Sequence, residues 1–169
     1  QGVPEQAVEP GDRALAVVDV LGLREALHER GLQHVLRGLA APDARLEERG
    51  ALLITHDGLS GPAALRLSAW GARSLHDRDY RFVLHVDWLP GVSPDALATE
   101  LASRRDAMPR RLVASAPLHP IPARLWRALV AAAGVSPATR WSELSRASVR
   151  ALAAQIGGTE LAVAGKSLN

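Results

Sequence analysis

The sharpest hydrophobic pattern in the chain lies between Tyr80 and Trp88. Phe82, Leu84, Val86 and Trp88 alternate with Arg81, Val83, His85 and Asp87, which is the period of a half-buried strand. Pro90 and Gly91 end it. Ser93 and Pro94 then open a helix to about Arg105, with Leu97 and Leu101 four residues apart on its apolar side. Residues 106–122 hold four prolines and read as a connector with one helical turn around Arg110 to Ser115. Pro122 to Ala133 is helical and stops at Gly134, a common C-terminal signal. Ser142 to Ile156 is a further helix, with Ser142 a cap candidate and Gly157-Gly158 the break. Leu161 to Ala164 is a last short strand.

The first half is less regular. Residues 1–12 are punctuated by Pro and Gly and read as extended. Ala14 to Val20 has the β-branched content of a short strand. Leu23, Leu27, Leu32, Val35, Leu36 and Leu39 fall near helical spacing and predict a helix weakened at Gly31. Leu52 to Thr55 reads as a buried strand. The helix after it starts with Ser60 or Gly61 at the cap and Pro62 in the first turn, where a missing N–H costs nothing. Leu65, Trp70 and Leu75 supply part of its apolar surface.

These elements predict an α+β fold: a small β-barrel-like or mixed-sheet part with a helical cap subdomain. Residues 1–92 form the strand-rich part with one or two helices, 93–157 the helical cap, and 158–169 a strand returning to the sheet. Pairing of that last strand with the early ones brings the two ends of the chain together, as an inserted domain requires.

Composition narrows the function classes. The 169 residues contain no cysteine, which excludes disulfides, thiolate metal sites and a cysteine nucleophile. No apolar run approaches the roughly 18 residues of a membrane span, and the cytoplasm is the expected compartment. The first residues lack the basic and apolar regions of a signal peptide. A chain starting at Gln1 rather than Met reads as cut from something longer. The net charge of +2 comes from interspersed acids and bases, a mixed solvated surface. The densest basic cluster, Arg104-Arg105 with Arg110-Arg111, has no aromatic residues around it for stacking, so nucleic acid is not an expected partner.

The chain offers few catalytic patterns. Gly58-Leu59-Ser60-Gly61-Pro62 resembles a nucleophile elbow, but Pro62 occupies the second glycine position and no triad partner follows by spacing. A hydrolase using Ser60 is therefore the weakest reading. Gly165-Lys166-Ser167 resembles the end of a phosphate-binding loop, but Glu160 stands where the first glycine belongs. The histidines show no metal-ligand spacing: His28 and His34 are six apart, and His85 with Asp87 reads as a solvated pair. Trp70, Trp88, Trp126 and Trp141 are core or subdomain-interface residues by economy. No catalytic residue and no metal ligand is assigned.

One block remains. Thr55-His56-Asp57-Gly58-Leu59-Ser60-Gly61-Pro62 carries donors and two glycines just before a helix N-terminus, whose free N–H groups favour an anion or carbonyl. A capped turn with a surface histidine explains it equally well. The whole stretch Gly50 to Arg73 resembles the THxGLSGPAxLxLSAWGAR segment of the BaiN/RdsA-like NAD(P)/FAD-dependent oxidoreductases. Shorter likenesses follow in order: Tyr80–Pro90, Ile121–Trp126, Trp141–Ser145 and Leu161–Lys166. The resemblance implies a domain inserted into a flavin-binding fold. It would act as a substrate-side lid of an FAD-dependent, NAD(P)-linked oxidoreductase and be inactive alone. Thr55, His56, Gly58, Ser60 and Gly61 would then face the substrate or the flavin-binding domain of the same polypeptide. FAD would belong to the full-length enzyme, and this chain alone would bind none, since it contains no G-x-G-x-x-G. The first 40 or so residues fit the family pattern poorly. The alternative is a free-standing, non-enzymatic protein-interaction module.

Overall fold

The structure is a computed structural model that describes residues 15–17, 33–41, 44–55 and 58–166. The expectations for residues 1–12 and for a helix from Leu23 to Leu32 lie outside the described residues. The fold is α+β. Strands β1 (Leu15–Val17), β2 (Gln33–Ala41), β3 (Ala44–Ala51), β4 (Leu53–Thr55), β5 (Gly58–Ser60), β6 (Phe82–Asp87) and β7 (Thr159–Lys166) join in one sheet. Its order is β3-β2-β6-β7-β1-β5-β4, and every pairing is antiparallel. The ladder is open, yet its two edge strands, β3 and β4, are consecutive in the chain and separated only by Leu52. One bent stretch, Ala44 to Thr55, therefore lies along both edges of the sheet, giving a barrel-like wrap.

The helix predicted over Leu23 to Leu39 is corrected from Gln33 onward, where the chain is strand β2. β2 pairs with β3 on one side and β6 on the other. Two full ladders outweigh a local pattern in which apolar residues three and four apart also suit a helix. β3 is the matching omission. Its Glu47-Glu48-Arg49 run looked like solvated surface, and Glu47 and Arg49 are indeed exposed, but on an edge strand.

β6 alternates as expected, with Phe82, Leu84 and Val86 buried. β7 pairs with both β1 and β6, so the first and last described strands are neighbours, Leu15 opposite Lys166. Helices α1 (Pro62–Trp70) and α2 (Ala72–His76) meet at Gly71. The apolar face of α1 is Ala63, Ala64 and Leu67, joined by Leu75 of α2, whereas Trp70 is 77% exposed. Trp70 is thus not a core residue.

The cap comprises α3 (Pro94–Ala107), α4 (Ala123–Ala132) and α5 (Arg146–Gly158). Ser93 caps α3, its Oγ accepting from the Ala96 N–H at 3.2 Å. The cap of α5 is Ser145, whose Oγ accepts from the Ser148 N–H at 3.0 Å, and not Ser142, which falls in a 3-10 turn over Trp141–Glu143. Gly157-Gly158 ends α5 as expected, and β7 follows at Thr159 with no intervening loop. The junction is fastened at Trp88. Its backbone N–H donates to the Ile156 carbonyl at 2.9 Å, and its Nε1–H to Thr159 Oγ at 2.6 Å. Trp126 and Trp141 stack with ring centres 6.4 Å apart inside the cap. Barrel and cap share one apolar core.

Candidate functional site

The block from Thr55 to Pro62 folds in two steps rather than as a single strand-to-helix turn. β4 and β5 pair as a hairpin, with Thr55 opposite Gly58 and Leu53 opposite Ser60. His56 and Asp57, between the paired residues, lie outside the described residues. Helix α1 then follows β5, with Gly61 at its N-cap and Pro62 in its first turn. Gly58 and Ser60 lie two residues apart on one strand, about 7 Å along it, so they share a face. Thr55 and Gly58 meet across the hairpin. Gly61 belongs to the helix start and stands apart from that pair.

Close packing accounts for several glycines of the block. Gly61 has φ 91° and ψ 169°, a region that essentially only glycine occupies. A Cβ there would come within 2.9 Å of the Leu53 nitrogen and 3.1 Å of the Ala51 carbonyl oxygen. Gly58 has φ 147° and is buried. At Gly50 an added Cβ would meet the Arg66 guanidinium at 2.7 Å. That guanidinium clamps α1 to β3, donating to Glu48 Oε2 at 2.9 Å and to the Arg49 carbonyl at 2.9 Å. Gly71 faces the Leu46 side chain in the same way. Gly50, Arg66 and Gly71 form a structural set that strand and helix patterns do not reveal, because it depends on β3 packing against the α1–α2 segment.

The first turn of α1 is half turned inward, with Pro62 exposed. Ala63 and Ala64 are fully buried, and no side chain caps the helix. Of the described hairpin residues, Ile54, Gly58 and Leu59 are buried and Ser60 is half-buried. The location of the hairpin is specific: β5 pairs with β1, Leu59 opposite Leu15 and Gly58 opposite Ala16, and β1 pairs with β7. The block lies two strand spacings, about 10 Å, from the last strand.

The expected basic cluster separates in space. Arg104 is committed to the cap: its guanidinium bonds Glu100 at 3.1 Å and the Ala116 carbonyl at 3.2 Å, and stacks over Trp141 at 5.9 Å. Arg105 points into a groove between α3 and α5. Arg110 and Arg111 are exposed on the connector. His85 faces Glu160 at 3.8 Å, whereas Asp87 accepts from the Leu89 N–H at 3.0 Å, so the two do not converge. Among the described residues no cluster of metal-ligating side chains forms. No helix among them is long and apolar enough to cross a membrane.

Fold and block together define an antiparallel, barrel-like sheet carrying a helical cap, with the β4–β5 hairpin beside the first and last described strands. Residues 27–168 match the family described as HI0933-like protein barrel and H2TH domain, and the chain belongs to that family, one of flavoproteins. No curated protein shows significant similarity to it. The described residues contain no dinucleotide-binding unit of the parallel βαβ type. A dinucleotide fold needs parallel βαβ units and a glycine fingerprint; all strand pairs here are antiparallel and the sequence has no G-x-G-x-x-G.

Proposed function

We propose that this chain is the substrate-side, lid-forming domain of an FAD-dependent, NAD(P)-linked oxidoreductase. A flavin-binding domain of the same polypeptide is its partner, and a small molecule its substrate. The carrying observation is the juxtaposition of β5, β1 and β7. Neighbouring first and last strands suit a unit inserted into another fold, and they set the Thr55–Gly61 block near the point where such a host would attach. FAD, bound by the host, supplies hydride transfer. The role of this chain is to bind, orient and exclude water. Thr55, His56, Gly58, Ser60 and Gly61 face the substrate or the host; His56 is a hydrogen-bond donor for a substrate carbonyl in either protonation state. Exposed Trp70 suits a contact with the host, since tryptophan, with its large apolar ring and one N–H donor, is enriched at interfaces. Residues 93–157 act as the cap, and the cytoplasm is the compartment.

Replacing residues 15–166 in the intact polypeptide by a short Gly-Ser linker tests this. FAD absorbance retained with NAD(P)H-driven turnover abolished is the expected result. Loss of FAD overturns the placing of the cofactor outside this chain. Undiminished turnover overturns the lid.

A further inference from the structure

The groove between α3 and α5 is open to solvent and has a volume of about 420 Å³. Its apolar lining is Ala98 and Ala102 on α3 and Val149 on α5. The small side chains on α3 are what leave the space open. Its charged lining is Arg105, Arg146 and Arg150, with Asp106 as the one acid. Three cations thus meet one anion around one opening.

These arginines are not spent on the fold. Among the described residues none of the three forms an ion pair or side-chain hydrogen bond, unlike Arg104 beside them. Arg105 alone would mean little, because a cation in the last turn of a helix suits the macrodipole. Arg146 and Arg150 are at the opposite end. Arg146 is the first residue of α5 and Arg150 lies one turn on, with no acid in the first turn. Arg146 there opposes the positive end of the helix. Arg146 and Arg150 are exposed to solvent and open to a ligand. A bound anion would relieve both the mutual repulsion and the dipole conflict.

We propose that this groove binds a phosphate-bearing small molecule, gripped by the forked guanidinium groups of Arg105, Arg146 and Arg150. Arginine suits phosphate because its planar fork donates two parallel hydrogen bonds. The lining contains no aromatic side chain, so it offers no platform for stacking bases of a nucleic-acid strand. Recognition falls on the phosphates themselves, and adjacent phosphates match the several guanidinium groups best. This site is separate from the hairpin block and does not depend on the lid assignment.

Calorimetric titration of the protein with inorganic pyrophosphate at low salt tests the site. Saturable binding is expected, weakened on the order of tenfold or more by Arg146→Gln with Arg150→Gln. Ala102→Leu, which fills the groove without removing charge, should weaken binding too. Arg110→Gln with Arg111→Gln removes the same charge elsewhere and should change affinity by no more than about twofold. No binding of pyrophosphate overturns the proposal. Equal losses in the two double variants overturn it as well, since they would mean a diffuse charge effect. Tighter binding of a single-stranded oligonucleotide, lost with Arg146 and Arg150, would assign the groove to nucleic acid and overturn the small-ligand reading.

Discussion

Gly61 and Gly134 both sit at positive φ, 91° and 73°, and what surrounds them separates their roles. An added Cβ at Gly134 meets nothing within 4 Å, whereas at Gly61 it strikes the β4 backbone. Gly134→Ala should therefore cost about 1 kcal/mol, the price of the left-handed backbone alone. Gly61→Ala should cost roughly 2 kcal/mol or more, since strain and overlap add. Chemical denaturation of the two variants checks the order. Thr159 is the second residue to test. Its buried hydroxyl accepts from Trp88 Nε1 at 2.6 Å and donates to the Gln155 carbonyl at 2.5 Å. Thr159→Val leaves a buried indole N–H unpaired and should destabilise by about 1–3 kcal/mol. His56→Ala in the intact flavoprotein should leave FAD content unchanged and lower kcat/KM; unchanged kinetics would remove His56 from the substrate face.

The cap of α5 decides where that element starts. Ser145 accepts from the third residue beyond it, the geometry that replaces a missing intrahelical partner. Ser145→Ala should lower stability by about 1 kcal/mol, a Tm change of a few degrees for a chain of this size. Ser142→Ala should change it by less than about 0.5 kcal/mol. Thermal melts of the pair distinguish the two starts. Element existence was legible wherever a local signal was strong. β6 showed its alternation, α3 its Ser93-Pro94 start, and α4 its Gly134 stop. β2 and β3 were not legible, because their stability lies in ladders with each other and with β6.

Across the whole molecule, one apolar core runs from Leu52 and Ile54 in the barrel to Leu152 and Ile156 in the cap. A shared core without a linker at the α5–β7 junction should unfold as a unit. Tryptophan fluorescence, dominated in the cap by Trp126 and Trp141, and far-ultraviolet circular dichroism should give coincident transitions. Separate midpoints would show that barrel and cap are independent. The candidate block was partly legible at this scale. Its position along the chain and its helix start at Pro62 followed from residues 50–73. The hairpin that divides it did not, because β5 exists through pairing with β1 and β4.

The sequence by itself determined the α+β class, the helical stretch after residue 93, the return of the last strand and the likeness to a flavoprotein family. Each rests on short-range periodicity, capping chemistry or a motif contained in a few consecutive residues. The tertiary structure alone decided that Gln33 to Ala41 is a strand and that one bent stretch lies along both sheet edges. It also decided that Trp70 faces solvent while three other tryptophans are buried, and that Arg105 parts from Arg104 to join Arg146 and Arg150. These features depend on residues tens of positions apart meeting in space, where burial and hydrogen-bond partners outweigh local preference.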